Sequence, residues 1–462
     1  MIIKSFVSGI FLITCIKIFA IFNTSFNLFG DEAQYWLWSQ NIDLGYFSKP
    51  PLLAWLIYIY SFLFGDSFVV LKIFPLVFYF ITSFAIYKLS RLVLEDRGLS
   101  MVCSLSFLIM PGVSVSSFLL STDVVLLLFW TLSMIVVLEI KKRPVQIKFV
   151  LLGLLMGLAF LSKYAAIYFF ISLTILYIFD RSFFKIINEN KVGVIFFFVV
   201  FVFVILPNIV WNFNNGWVTL FHTADNANLK NIKPSAIRGL EFLLIQICMI
   251  GPFLFLGLLS NLNKFSFDTK NVFLLCFSFP ILFIVFVESF LVRANANWAA
   301  VALVAILLLF IRVIKEEKSI YLLLNYVVNL IFGVLLFVLI STNSDFKIFN
   351  RISGVNEFSK EVLEVLGHKK NLVVSNRLLY SNLAYELKDE NLNFFMPMAP
   401  DQKVSNHFHI LSPLKKEALS GFVFIGAPSD ISYLEKPINL ILLKKQNYKF
   451  SSLPISIYEV TF

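Results

Sequence analysis

The segment PPLLAWLIYIYSFLFG, residues 50–65, decides how the chain crosses a membrane, because it is apolar throughout but short. The whole chain has 462 residues, of which 59% are hydrophobic and 14% charged, and its mean hydropathy is +0.85. Soluble domains carry roughly 25% charged residues. The composition therefore predicts a polytopic α-helical membrane protein, in which each apolar run of about 20 residues is a candidate span.

About eleven runs other than residues 50–65 approach the spanning length. They are residues 5–23, 68–88, 101–119, 122–140, 148–162, 164–180, 192–210, 239–260, 271–291, 298–313 and 320–341. Lys and Arg concentrate before the first run and in every second connection after it. Because basic loops stay on the inner side of bacterial membranes, this alternation predicts a cytoplasmic N-terminus, and the odd count predicts an external C-terminus.

Counting residues 50–65 as a further span would reverse the orientation of every later span and move the basic connections outside. Apolar runs of about 10–14 residues rarely cross a bilayer. Pro50 and Pro51 also suit the start of a helix. We therefore expect an interfacial or re-entrant helix within a first outer loop of residues 24–67.

Residues 342–462 alternate polar and apolar positions and contain no spanning run. They predict a small extracytoplasmic α/β domain after a transmembrane domain of residues 1–341. Strands are expected at residues 371–376, 421–427, 438–443 and 456–462, and helices at 358–367 and 381–390. His407 and His409 lie two positions apart, which fits ordinary loop or strand histidines better than metal ligands.

The net charge of +10 is explained by the basic loops, so no nucleic-acid partner is expected. All four cysteines lie inside apolar runs and are predicted to be core residues. The sequence identifies no certain cofactor. It leaves a divalent metal open, since a carboxylate pair and a phosphate can share one.

The stretch GDEAQYWLWSQ, residues 30–40, places Asp31 and Glu32 at the outer end of the first span. Acids at such helix ends are often only solvated. Here the aromatic residues that follow, including Tyr35, and the rigid loop that ends in YFSKPP with Tyr46 favour a binding site. A carboxylate beside aromatic rings is suited to act as a general base for a hydroxyl acceptor.

Four other polar residues are expected on the outer side, where they are candidates for binding a lipid phosphate. Lys49 follows the aromatic loop. The alternative explanation for this residue is a lysine that snorkels to the membrane surface. Asp123, in STD, is equally well explained by favourable interaction with the helix dipole. Lys163 lies at a sharp outer turn, and Arg293 lies in RANANW. Basic residues on this side are exceptions to the charge rule.

The loop of residues 211–238 is rich in aromatic and amide side chains. His222 and Asn226 are its candidate substrate contacts, together with Asp225 and Lys230.

The motifs GDEAQYW, YFSKPP, STD, LSKYAA and RANANWAA together resemble the bacterial protein O-mannosyltransferase-like glycosyltransferases (PMT/ArnT/Rgt-like). These are integral-membrane C-type (GT-C) enzymes, and they include the aminoarabinose and galacturonosyl transferases of lipid A and lipopolysaccharide. The resemblance covers roughly residues 5–312. It departs from the aminoarabinose transferases in a shorter stretch between the acid pair and SKPP, fewer spans and a smaller tail.

The resemblance implies transfer of a sugar, usually with inversion, from a polyprenyl-phosphate carrier to a lipid, glycan or protein acceptor on the outer face of the inner membrane. It implies that Asp31 is the base or orients the acceptor, that Glu32 is its partner, and that Lys49 meets the carrier phosphate. Asp123 and Lys163 match further polar positions of the outer cavity. The remaining alternatives are a transporter or flippase of polyprenyl-linked glycans and a non-catalytic envelope assembly protein.

Overall fold

The computed structural model describes residues 2–227, 232–316, 319–415, 421–434 and 438–462. Its α-helices in chain order are α1 Ile2–Asn23, α2 Gly30–Gln40, α3 Leu52–Phe64, α4 Phe68–Leu94, α5 Arg97–Ile109, α6 Pro111–Ser116, α7 Thr122–Lys142, α8 Gln146–Ser162, α9 Tyr168–Phe179, α10 Arg181–Glu189, α11 Lys191–Asn214, α12 Val218–Ala227, α13 Ala236–Ile250, α14 Pro252–Ser260, α15 Thr269–Cys276, α16 Phe279–Leu291, α17 Ala300–Ile314, α18 Ile320–Ser341, α19 Val355–Leu366, α20 Arg377–Glu386 and α21 Phe408–Leu411. Its strands are β1 Asn371–Val374, β2 Asn393–Pro397, β3 Pro413–Leu414, β4 Phe422–Ile425, β5 Asn439–Gln446 and β6 Ile455–Thr461.

The chain divides into two compact units. The first contains residues 1–22, 49–53 and 69–339, and the second contains residues 23–48, 54–68 and 340–462. The second unit thus combines most of the predicted outer loop with the C-terminal residues. The predicted division at residue 341 stays a prediction.

The first unit is built from apolar helices, and most of each candidate span found in the described residues lies in it. Among the described residues, six helical segments meet the length and composition of a span, and two bent pairs raise the total to eight. The six are Phe68–Leu94, Thr122–Lys142, Lys191–Asn214, Thr269–Leu291, Ala296–Ile314 and Ile320–Ser341. Each of the predicted runs overlaps a helix, but the count of eleven is not confirmed, because several of these helices are shorter than a bilayer requires.

The predicted span over residues 239–260 is not one straight helix, because α13 and α14 meet at a bend of 95°. Gly251 lies at this bend with φ +116°, a conformation that L-residues rarely adopt. A Cβ at this position would lie 2.2 Å from the side-chain oxygen of Asn325. Pro252 then starts α14 at a position where no backbone donor is needed.

The short apolar segment of residues 50–65 contains α3, a helix of 13 residues. Tyr58, Ile59, Phe62 and Leu63 are exposed on it. A helix of this length rises about 20 Å, which is less than the hydrocarbon thickness of a bilayer. Its expected place at the membrane surface stays a prediction.

The second unit contains a six-stranded sheet in the order β3-β2-β1-β4-β6-β5. Strands β3, β2, β1 and β4 are parallel to one another, whereas β6 pairs antiparallel with β4 and β5. Strand β1 and β4 are buried runs of Val, Ile, Leu and Phe, as expected for parallel strands covered on both faces. Helices α19 and α20 bury Phe358, Val362 and Leu383 in the core against this sheet.

The α/β character of the C-terminal residues agrees with the sequence-based prediction, and four of the strands lie where the pattern placed them. Strands β2 and β3 were missed. Strand β3 has only two residues, and β2 has an exposed and partly exposed start that masks the buried pattern of a parallel strand.

Candidate active site

Asp31 lies in the first turn of α2, in the second unit, where its carboxylate meets an arginine from far along the chain. Arg377 donates to Asp31 Oδ1 at 3.1 Å and to Gln34 Oε1 at 2.7 Å. The Asp31 side chain is 39% exposed. Its second oxygen, Oδ2, accepts no hydrogen bond from the described residues. The carboxylate is therefore oriented through one oxygen and accessible through the other.

The position of Arg377 follows from the local sequence after β1. Asn376 caps α20 by accepting from the backbone N–H groups of Leu378 and Leu379 at 3.0 and 3.1 Å. Arg377 is the first residue of that helix, so the cap fixes the direction in which its side chain leaves the backbone. Sequence reasoning missed this residue, because nothing near position 377 points to a partner 346 positions earlier.

Glu32, the predicted partner of Asp31, is only 1% exposed. Its Oε2 accepts the backbone N–H of Phe29 at 2.8 Å, which is the return contact of a helix-capping box. A buried carboxylate engaged in capping its own helix is poorly placed to meet an acceptor. The geometry thus gives Glu32 a structural role in capping α2, and its catalytic role stays a prediction.

The aromatic residues of the same loop form a packed cluster. Tyr46 stacks on Trp38 with ring centroids 4.6 Å apart, and its hydroxyl donates to the carbonyl of Trp38 at 3.0 Å. His407 lies edge-on to both rings, at 5.6 and 5.1 Å. Tyr46 is 0% exposed and Tyr35 is also buried. The predicted sugar contacts of Tyr35 and Tyr46 have no support in this arrangement, which instead uses the rings to fix the loop.

A second polar cluster holds the other end of α2. Trp36 donates its indole N–H to Asp66 Oδ2 at 3.1 Å. Lys388 forms an ion pair with Asp66 Oδ1 at 2.6 Å, and the hydroxyl of Tyr385 donates to the backbone oxygen of Asp66. Burial together with the nearby carboxylates of Glu386 and Asp66 raises the pKa of Tyr385, so it stays a neutral donor. These contacts link residues 36 and 66 of the outer loop to α20 and the residues after it.

In the first unit, three of the sequence motifs meet at Asp123. Lys163 Nζ lies 2.6 Å from Asp123 Oδ1, and the Asn297 amide donates to Oδ2 at 2.7 Å. The side chains of Lys163 and Asp123 are only 13% and 9% exposed. STD, LSKYAA and RANANW therefore converge, and the charge of Lys163 is already balanced by a carboxylate. The sequence did not single out Asn297.

The other predicted contacts of the first unit are more scattered. Lys49 is half-buried, and Arg293 is exposed and forms no ion pair with the described residues. His222 and Asn226 contact each other at 2.9 Å across one turn of α12. Lys230 lies outside the described residues. The prediction that these groups share one outer cavity with Asp31 stays a prediction.

Lys72 is a basic residue that sequence reasoning missed. It is completely buried in α4, where its ammonium donates to the carbonyl of Phe118 at 3.0 Å and lies 4.1 Å from the centroid of that ring. The cation thereby stabilises the turn that leads into STD. Its signal in the sequence was weak, because a single Lys near a helix end is usually a snorkelling residue.

No group of three or more His, Cys, Asp or Glu residues that could hold a metal ion is found within the described ranges. His407 faces Trp38 and Tyr46, and the backbone N–H of Ser405 lies 3.4 Å from His409 Nδ1. The two histidines therefore belong to the packing of the second unit.

Comparisons with known proteins all find similarity to membrane glycosyltransferases. The family model for dolichyl-phosphate-mannose-protein mannosyltransferase matches residues 48–211. The lipid A galacturonosyltransferase RgtD of Rhizobium johnstonii is 27% identical over 450 residues, which make up 94% of this chain and 93% of the relative. The crystal structure of ArnT from Cupriavidus metallidurans in the apo state superposes with a TM-score of 0.68 at 11% identity, over 98% of this chain and 97% of that one.

Two further solved structures show the same fold. ArnT from the same organism bound to undecaprenyl phosphate gives a TM-score of 0.66 at 11% identity, over 98% of this chain and 97% of that one. The oligosaccharyltransferase of Archaeoglobus fulgidus in complex with Zn and sulfate gives 0.50 at 13% identity, over 95% of this chain and 72% of that one. The fold class and the resemblance predicted from the sequence are confirmed.

Proposed function

We propose that this chain, a PMT- and ArnT-like membrane glycosyltransferase of the GT-C fold, moves a sugar from a polyprenyl-phosphate carrier to lipid A. The observation that carries the proposal is the likeness to a lipid A galacturonosyltransferase, which extends over 94% of the chain and so includes both units. The fold shared with an ArnT that binds undecaprenyl phosphate supports the choice of donor.

In the proposed reaction, an acceptor oxygen attacks the anomeric carbon of the donor sugar. The bond between that carbon and the phosphate oxygen breaks, and polyprenyl phosphate leaves with the electron pair. Attack from the side opposite the phosphate inverts the anomeric centre. A hydroxyl acceptor must lose its proton during attack, and a well-placed base contributes on the order of 10²–10⁴-fold to such a step.

Asp31 is the proposed base. Arg377 and Gln34 occupy one side of its environment, and Oδ2 remains available to take the proton. The guanidinium of Arg377 holds Oδ1 and so fixes the direction in which the carboxylate points. Arg377 is thus proposed as a positioning residue, since it touches Asp31 rather than the reacting atoms.

The donor phosphate needs a cation, because its charge increases as the sugar departs. Lys49 is the proposed phosphate ligand, as the family resemblance implies, and the unpaired Arg293 is a second candidate. Lys163 is better suited to orient Asp123 than to neutralise a phosphate, because the two are already paired in a protected environment. Asp123, together with Asn297, is proposed to shape the donor site.

The proposed orientation has the N-terminus in the cytoplasm and residues 342–462 in the periplasm of a bacterial inner membrane. The alternation of basic connections supports it. This orientation gives Asp31 access to the outer leaflet, where the carrier-linked sugar and lipid A would both be available.

The experiment that tests the function compares the lipid A of a strain with and without this protein by mass spectrometry. Loss of one sugar from lipid A, restored by the wild-type chain but not by Asp31→Asn, is the expected result. An unchanged lipid A profile with carrier-linked glycan retained on the cytoplasmic side would favour the flippase alternative.

A further inference from the structure

A crevice of about 750 Å³ opens in the second unit at the carboxyl ends of two neighbouring parallel strands. Ser375 and Asn376 follow β1, and Gly426 and Ala427 follow β4, and all four line the crevice. The chain leaves β1 towards β2 on one side of the sheet and reaches β4 on the other. In open α/β sheets, ligands bind at such a point where the strand order reverses.

The charge of the lining favours an anion. Arg351 and Lys445 line the crevice, and none of the described residues that line it is an Asp or a Glu. Both side chains are exposed, and neither forms an ion pair with the described residues. Other cations of this unit are paired with carboxylates, as Lys369, Lys444 and Lys388 illustrate.

Unsatisfied polar atoms at the crevice indicate hydrogen bonds still to be made. Asn382 is 7% exposed, and its Oδ1 has no hydrogen-bond partner in the described parts of the chain. Ser375 Oγ is unpaired in the same way. A Cβ on Gly426 would lie 2.2 Å from Ser375 Oγ, so glycine is needed for the backbone to approach this hydroxyl. A ligand that both donates and accepts hydrogen bonds, such as a sugar, matches these groups.

Residues that line the crevice are sequence neighbours of the candidate base and of its arginine. Phe29 and Gly30 line it, and Asp31 is the next residue along the chain. Arg377, which contacts Asp31, lies between the lining residues Asn376 and Leu378. A ligand seated here therefore contacts residues that are adjacent in sequence to Asp31, the proposed base, and to Arg377.

We infer that this crevice binds the phosphorylated sugar headgroup of the acceptor lipid, an inference that rests on the proposed function. The donor phosphate has its candidate ligands in the first unit, whereas this cationic, hydrogen-bonding site is in the second. The volume lies within the range of roughly 300–1,000 Å³ typical of small-molecule sites, so it accommodates a sugar phosphate. Lipid A, a phosphorylated glucosamine lipid, presents that chemistry.

The test uses the full chain in nanodiscs and the double variant Arg351→Gln/Lys445→Gln, with Lys370→Gln as a matched control. Lys370 is an exposed lysine of the same unit that does not line the crevice. We expect the KM for lipid A to rise by about tenfold or more in the double variant, because two charge-assisted contacts are lost. The KM for the donor and the kcat at saturating acceptor should stay within about twofold, and the control should match the wild type.

A second measurement does not depend on turnover. Binding of glucosamine 1-phosphate to the full chain is followed by calorimetry, and the double variant should lose the binding that the wild type and the control retain. An active double variant with an unchanged KM for lipid A would overturn the inference and leave the proposed function standing. If the wild type transfers no sugar, the proposed function fails, and absence of glucosamine 1-phosphate binding would then overturn the crevice assignment as well.

Discussion

The ion pair between Asp123 and Lys163 gives a quantitative test of the first unit. Lys163→Met removes the cation that lies 2.6 Å from Asp123 and leaves a carboxylate with 9% of its side chain exposed. Removing one partner of a buried pair costs about 3–5 kcal/mol, because the remaining charge is uncompensated. The amide of Asn297 still donates to Asp123, which places the expected loss at the lower end of that range.

The double variant Asp123→Asn/Lys163→Met should recover much of this loss, since neither charge then remains. The free energy of unfolding would be measured by titrating the protein with denaturing detergent in mixed micelles. Non-additivity of roughly 1–3 kcal/mol between the two single variants is expected for residues in direct contact. Lys185→Met is the control, because Lys185 pairs with Glu189 at 3.8 Å on an exposed face, where such pairs contribute little.

Additive effects of the two substitutions, or a Lys163→Met variant as stable as the control, would refute the pairing.

The same variants separate a structural role of Lys163 from a role in donor binding. If Lys163 only orients Asp123, the double variant should bind the donor with the same affinity as the Asp123→Asn single variant. If Lys163 binds the donor phosphate, Lys163→Met should weaken donor binding even at temperatures where the protein remains folded.

Three further outcomes are expected. Lys49→Ala should weaken binding of the polyprenyl-phosphate sugar in nanodiscs more than Lys49→Arg does, because Arg keeps the charge with a different geometry; wild-type affinity in both would reduce Lys49 to an interfacial anchor. Arg377→Gln should lower kcat several-fold without changing donor affinity, with partial rescue in Arg377→Lys; unchanged kcat would exclude a positioning role. Burial lowers the pKa of His407 from 6.5 to about 4, so on acidification this histidine is protonated in the unfolded chain before it is protonated in the folded one. The free energy of unfolding should therefore fall by up to about 3 kcal/mol as the pH drops from about 6.5 to about 4. His407→Gln should flatten this dependence in a detergent titration, whereas substitution of the exposed His368 should leave it unchanged.

The fold was predictable from the sequence wherever one local pattern dominates. Long apolar runs marked the helices of the first unit, and short apolar runs such as residues 371–374 marked strands, although not that these strands are parallel. The bend at Gly251 was not predictable, because hydropathy averages over such a break and the close approach of Asn325 is a tertiary contact.

The candidate site was predictable only as a set of motifs. Asp31 stood out because aromatic residues and a rigid loop follow it, and Asp123 because it opens an apolar run on the predicted outer side. Their partners Arg377 and Asn297 did not, since a separation of 346 or 174 positions carries no local signal. The catalytic role of Glu32 stays a prediction, and the sequence could not reveal its capping contact: a capping carboxylate and a catalytic one look alike until the backbone N–H of Phe29 is seen beside it.

The role of Asp31 is best measured with purified protein in nanodiscs that contain lipid A and an undecaprenyl-phosphate-linked sugar, with glycosylated lipid A followed by mass spectrometry. Wild-type protein should form the product, and Glu32→Gln should retain most of that activity once its stability is allowed for. Asp31→Asn keeps the shape of the side chain but removes its basicity, so transfer should fall by on the order of 10²-fold or more with donor binding intact. Transfer by Asp31→Asn at the wild-type rate would show that Asp31 is not the base.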